Sequence, residues 1–154
     1  MIVPVLTTKF VFKLTIKVAK PIEAGEIGHG ARRVIPIEGG ELVGEGLHGT
    51  IAAGGADYQI IRPNGLAELE AKYAVRMDDG AVIYVENIGI RTGPAEALER
   101  LRRGEIVDPA LIYFRSRPRF ETGHPMYRWL MDSIFVASGA RYPERVELDV
   151  FRVL

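Results

Sequence analysis

Two turn sequences constrain this chain more than anything else in it. Pro63-Asn64-Gly65 and Asp78-Asp79-Gly80 each end in glycine, and each separates two extended runs. Asn-Gly and Asp-Gly steps in such a setting are strong hairpin signals, because a tight reversal needs backbone at positive φ. The segments 56–62, 66–77 and 81–89 therefore read as a three-stranded meander. Phe10–Val18 alternates cleanly, with Phe12, Leu14, Ile16 and Val18 on one face and Lys13, Thr15 and Lys17 on the other. Arg145–Val153 does the same through Val146, Leu148 and Val150.

Between these segments the chain is dense in glycine. Arg33–Ile37 and the run through Leu42, Leu47 and Ile51 are interrupted by Gly39-Gly40, Gly44, Gly46 and Gly49. Glycine inside strands marks bulges and sharp bends, as in a sheet that curls on itself. Ala24–Gly30 reads as a loop, Ala110–Phe120 as a strand, and Pro125–Phe135 as a short helix or a turn-rich crossing. The one strong helical segment opens at Thr92-Gly93-Pro94, carries the stripe Ala97, Leu98 and Leu101, and stops at Gly104. The expected fold is all-β: an antiparallel β-barrel, a curled meander of calycin type, with roughly eight to ten strands and one short helix. A chain of 154 residues suits a single domain, 1–154.

The bulk numbers exclude more than they assign. With no cysteine there is no disulfide or thiolate chemistry. Twenty basic residues balance twenty acidic ones, so no net positive field exists to hold a nucleic-acid backbone. Met1–Lys9 is a poor signal peptide, and no apolar run approaches the roughly 20 residues of a membrane span. The expected location is cytoplasmic.

Hairpin register sorts the side chains. With Asn64-Gly65 as a two-residue turn, Ile60 pairs with Leu69, Tyr58 with Ala71 and Ala56 with Tyr73. Asp57 then lies outside against Lys72, and Gln59 against Glu70. A bulge at Gly54-Gly55 would instead turn Asp57 inward. With Asp78-Asp79-Gly80 as a three-residue loop, Val75 pairs with Ile83, Tyr73 with Val85 and Lys72 with Glu86. This places Asn87 on the inner face beside Ala71, where a buried amide must find partners or cost on the order of 1–3 kcal/mol.

The ordered motifs resemble one known family. They are Gly28–Arg33 with Ile35-Pro36-Ile37, Gly54-Gly55-Ala56-Asp57-Tyr58-Gln59, Arg62-Pro63-Asn64-Gly65, Asn87-Ile88-Gly89, and Phe120-Glu121-Thr122 with Tyr127-Arg128-Trp129-Leu130. Together they are similar to the domain-of-unknown-function 3237 family, also called uncharacterised protein family 0311, over almost the whole chain. The resemblance implies a β-barrel-like domain and no established activity. Two positions depart from the family pattern: Tyr58 stands where tryptophan is common, and Met131 where asparagine is frequent.

No nucleophile elbow, HExxH or Walker sequence is present, and the three histidines are far apart. No metal or cofactor is expected. The candidate proton-transfer groups are Asp57, if turned inward, and Glu121, beside Phe120 and near Trp129. The candidate substrate-binding groups are Arg32 and Arg115 for an anion, Asn87 for a carbonyl, and Tyr58 and Trp129 as aromatic walls. Arg115, Arg117 and Arg119 share one strand face, which suits either an anion wall or a solvated or subunit-contact surface. The expectation is a small-molecule-binding barrel for an organic acid or carbonyl compound, with cofactor-independent acid/base chemistry of lyase or isomerase type. The alternative is a non-catalytic binder or an oligomeric structural protein, and a homo-oligomer suits either case.

Overall fold

Alternation of apolar and polar side chains runs through every long strand of the structure, a computed structural model that describes residues 1–154. Ten strands follow one another: β1 (Thr8–Val18), β2 (Ile22–Glu26), β3 (Ala31–Gly44), β4 (Leu47–Ile51), β5 (Ala56–Ile61), β6 (Ala67–Met77), β7 (Val82–Thr92), β8 (Tyr113–Glu121), β9 (Phe135–Arg141) and β10 (Arg145–Val153). One helix, α1 (Ala95–Arg102), follows β7. No helix is long and apolar enough to cross a membrane.

The strands close into an antiparallel barrel. β1 pairs β10, and the sheet continues through β9, β8, β7 and β6. β4 and β5 both bridge β6 and β3, and β3 returns to β1. β4 lies along one end of β3 (Glu41–Gly44) and β5 along the other (Ala31–Pro36), so together they act as one broken stave. β2 lies beside β3 where β1 has bent away. The barrel thus has eight staves.

Glycine permits the curl. At Gly40 φ is +130°, and a Cβ there would sit 1.9 Å from the Thr15 carbonyl oxygen. No other residue fits that approach of β3 to β1, and the register slips between Lys17 and Val18 at this bend. The expected glycine bulges are therefore real, but Arg33–Ile37 and Leu42 belong to one bent strand rather than two runs. Ala24–Gly30 is not all loop: Ile22–Glu26 is a strand, and the Glu26 carboxylate then accepts from the Gly28 and Gly30 amides at 2.9 and 3.1 Å. β9 carries Ser138-Gly139-Ala140 and too little hydrophobicity to announce itself in the sequence.

The first hairpin corrects the expected register. Gly65 N–H donates to the Arg62 carbonyl at 2.8 Å, and Arg62 N–H to that of Leu66 at 2.9 Å. Only Gly65 takes positive φ, at +87°. This is a three-residue loop, Pro63-Asn64-Gly65, ending in a left-handed glycine, because the proline ring holds φ negative and suits the first central turn position. Asp57 therefore faces Ala71 and Ile60 faces Glu68, one residue away from the two-residue register. A slip of one residue exchanges the faces of a strand. Asp57 and Gln59 turn into the barrel, and Tyr58 turns out. The second hairpin has the expected three-residue form, with Val75 opposite Ile83, Tyr73 opposite Val85 and Asn87 beside Ala71.

The interior is divided lengthwise. At one end Phe120 packs edge-on against Phe12 and Phe135, with ring centroids 5.6 and 5.2 Å apart. A 3₁₀ turn at Pro125–Leu130 plugs that end with buried Tyr127 and Leu130. The Tyr127 hydroxyl donates to Asp79 at 2.7 Å, tying the plug to the β6–β7 loop. At the other end lie the close of β1, β7 and β9, the start of β3 and β6, and α1. There the inward side chains become polar.

Candidate functional site

The polar end is built by strand parity. Asn87 and Arg91 share the inward face of β7 with Ile83 and Val85, with Gly89 between them. Ser116 shares the inward face of β8 with Phe114 and Phe120. Arg33 keeps step with Ile35 and Ile37 on β3, and Arg141 with Phe135 and Ala137 on β9. Asp57, Gln59, Asn87, Arg91, Ser116 and Arg141 line one internal cavity, walled by apolar groups such as Ile16, Ile35, Leu69 and Leu148. The space open to the centre of a water-sized sphere is about 40 Å³, and a cavity of roughly 10–15 Å³ already holds one water. Arg33, Arg91 and Arg141 also line a groove of about 1290 Å³ between the barrel rim and α1. The arginines thus stand where the groove meets the interior.

Asp57 is the one carboxylate lining the cavity. The β5–β6 ladder has no pairing between Asp57–Ala71 and Ile60–Glu68, and there the Glu70 amide donates to Asp57 Oδ1 at 3.0 Å. Gln59 Nε2 donates to Asp57 Oδ2 at 2.7 Å. Burial holds the carboxyl above the usual carboxylate range, against the pull of the Gln59 hydrogen bond and the Arg91 charge. Burial and the neighbouring Arg141 charge bring Arg91 down to about 10, and burial lowers Arg33 and Arg141 as well. At neutral pH the Arg91 guanidinium is still charged. Its planar group lies over the Phe114 ring at 5.7 Å, which fixes its position. Outside the cavity Arg33 meets Glu23 at 3.6 Å.

The site is incomplete in hydrogen bonding. Gln59 Oε1, Asn87 Oδ1, Ser116 Oγ, the Tyr73 hydroxyl, Arg33 Nε and Arg141 Nη1 are all buried without a partner. Native interiors satisfy nearly all such groups, so this concentration at one end marks a place where water or a ligand completes the set. Positive charge exceeds negative there. The arrangement can hold an anion by guanidinium forks and present a carboxylate to it.

The structure separates the residues that the sequence proposed. Asp57 and Asn87 meet in the cavity. Tyr58 is exposed on the outer face. Glu121 is exposed on the outer face opposite Tyr84. Arg115 is exposed too, folded back so that Nη1 donates to the Phe114 carbonyl at 2.9 Å and the guanidinium lies over Tyr113. These positions have the outward parity of their strands, which corrects their placement at a cavity wall. Arg32 also faces out, its Nη1 3.5 Å from the Gln59 carbonyl oxygen, and the inward guanidinium is its neighbour Arg33. Trp129 packs on Phe135 at the plugged end, 5.9 Å between centroids. Gln59, Arg91, Ser116 and Arg141 also line the cavity and are not among the site residues expected from the sequence. The signal for the last three was parity: each follows inward apolar residues at steps of two.

These features define a closed antiparallel β-barrel with an arginine-lined polar interior at one mouth. Residues 6–153 match the family described as "Protein of unknown function (DUF3237)", and the chain belongs to that family. A UPF0311 protein of Rhodopseudomonas palustris is 62% identical over 151 residues, covering 98% of this chain and 99% of that one. A crystal structure from that species, of a conserved protein of unknown function, covers 99% of this chain and 100% of its own with a TM-score of 0.97 at 61% identity. A beta-barrel like protein of Acinetobacter baumannii gives a TM-score of 0.86 at 37% identity, covering 98% of each chain. An enzyme from Penicillium herquei shares the fold, with a TM-score of 0.73 at 16% identity over 100% of this chain and 99% of that one.

Proposed function

We propose that this barrel binds a small organic acid or carbonyl compound at the arginine-lined end of its interior and moves a proton on it, in cofactor-independent chemistry of lyase or isomerase type. One observation supports the reading above the others: a carboxylate already oriented by two donors stands in an enclosed space that Arg91 and Arg141 share, with Arg33 at its mouth. The guanidiniums hold the carboxylate of the ligand. Asp57 takes the proton from carbon adjacent to a carbonyl or carboxyl group, and its raised proton affinity brings it nearer to that task than an ordinary aspartate. The C–H electron pair moves onto the carbonyl oxygen, and the resulting oxyanion is stabilised by the same fixed positive charge. Returning the proton to a different carbon completes an isomerisation. Expelling a group from the next carbon completes an elimination.

The test is deuterium exchange. Pyruvate, 2-oxobutyrate and malate are incubated with the protein in D2O, and proton NMR follows exchange at the carbon next to the carbonyl or carboxyl. The reading predicts catalysed exchange with at least one compound, and loss of about 10²-fold or more in Asp57→Asn, within the usual worth of a positioned acid/base. Binding without exchange would leave a non-catalytic binder. Exchange undiminished in Asp57→Asn would remove Asp57 from the chemistry.

A further inference from the structure

Two of the unpartnered buried atoms, Gln59 Oε1 and Asn87 Oδ1, are amide oxygens, which can only accept. Gln59 is 1% exposed, and its amide orientation is set by its neighbour: Nε2 must face the Asp57 carboxylate, to which it donates at 2.7 Å. That leaves Oε1 buried without a donor. Asn87, 6% exposed, likewise leaves Oδ1 without one, and Ser116 Oγ is unpartnered on the adjacent strand. Gly89 lies between Asn87 and Arg91 on the inward face of β7, so no side chain of β7 separates the amide from the guanidinium. The cavity thus sets two kinds of group side by side: guanidiniums where the groove meets the interior, and amide oxygens that lack a donor.

We infer that the ligand of this site is a small hydroxy acid, its carboxylate on Arg91 and Arg141 and its hydroxyl donating to Gln59 Oε1 or Asn87 Oδ1. A simple or oxo acid brings no donor of its own to either amide oxygen, whereas a hydroxyl supplies one proton, which is enough for one of the two. A site built to hydrogen-bond a hydroxyl rejects the analogue without it, because its own buried polar groups are then stranded. This inference rests on the acid-binding reading above and narrows it to one class of acid.

Calorimetric titration of matched pairs tests it: lactate against propionate, malate against succinate, and 3-hydroxybutyrate against butyrate. In at least one pair the hydroxy acid should bind about tenfold or more tighter. Asn87→Leu and Gln59→Met, each titrated separately, should show which oxygen carries the preference. In one of them it should shrink toward unity while the deoxy acid still binds. Folding of each variant is checked by its thermal transition, and two positions are used so that a failure of one variant to fold leaves the other to decide. Equal affinities within every pair would overturn the hydroxy-acid inference and leave acid binding standing. No binding by any of the six acids would overturn both. A preference that survives in both variants would show that another group reads the hydroxyl.

Discussion

Asp57 has its hydrogen-bond donors in place before any ligand arrives, and it is still held above the ordinary carboxylate pKa of 3.8. The sign of its contribution follows. A carboxyl whose folded-state pKa is raised keeps its proton longer in the folded protein than in the unfolded chain. Stability from this group therefore falls as pH rises from 3.8 to the raised value, and the full penalty is present at neutral pH. Asp57→Asn should melt no lower than the parent protein at pH 7, with its advantage disappearing as pH falls toward 4. A lower melting temperature at pH 7 would show the carboxylate to be a net stabiliser. Asn87 follows the same logic. Removing a buried, unsatisfied amide for an apolar group of similar size is near neutral or stabilising. Asn87→Leu should thus keep or gain stability by up to about 1 kcal/mol in urea unfolding while losing ligand selectivity. Asn87 was legible in the sequence because it broke an apolar alternation. Arg91 and Arg141 were not, because a charged residue near the end of a strand usually marks the return to solvent.

A single element decides which side chains reach the cavity. The loop Pro63-Asn64-Gly65 sets the β5–β6 register, and one residue more or fewer would put Tyr58 inside and Asp57 outside. Asn-Gly is a familiar two-residue hairpin signal, and by itself it predicts a turn centred on those two residues. Proline before it shifts the turn by one position, since its fixed φ fits the first central residue. The second hairpin, where Asp78-Asp79-Gly80 offered the same three-residue geometry without a proline, was readable because burial favoured one register over its neighbour. Gly65 carries φ of +87°, and a Cβ there would stand 3.1 Å from Leu98 of α1. Gly65→Ala should cost roughly 1–2 kcal/mol, the price of a left-handed L-residue, measured by chemical denaturation. A neutral effect would mean that the loop can close in another way and that this turn does not hold the register.

Over the whole molecule, the packed aromatic core and the arginine-lined cavity sit at opposite ends of one barrel. The barrel class was visible in hairpins, alternation and glycine spacing, all local signals. The arginine-lined end was not, because Arg33, Asp57, Arg91 and Arg141 come from four strands and meet only through closure of the sheet. Phe135 belongs to the packed end, 2% exposed and in contact with the Phe120 and Trp129 rings. Phe135→Ala should cost about 3–5 kcal/mol as a cavity opens in a close-packed core, with ligand affinity unchanged while the protein remains folded. Arg91→Met should do the reverse, since it removes a buried charge that costs stability in the free protein and, on the proposed function, anchors the ligand. The two sets of arginines give the most direct test of the account. Malate is titrated calorimetrically into the parent protein, Arg91→Met and Arg115→Met, the first change inside the barrel mouth and the second on the outer face of β8. The account predicts that Arg91→Met loses about tenfold or more in affinity and that Arg115→Met binds as the parent does. Undiminished binding by Arg91→Met, or loss confined to Arg115→Met, would contradict it.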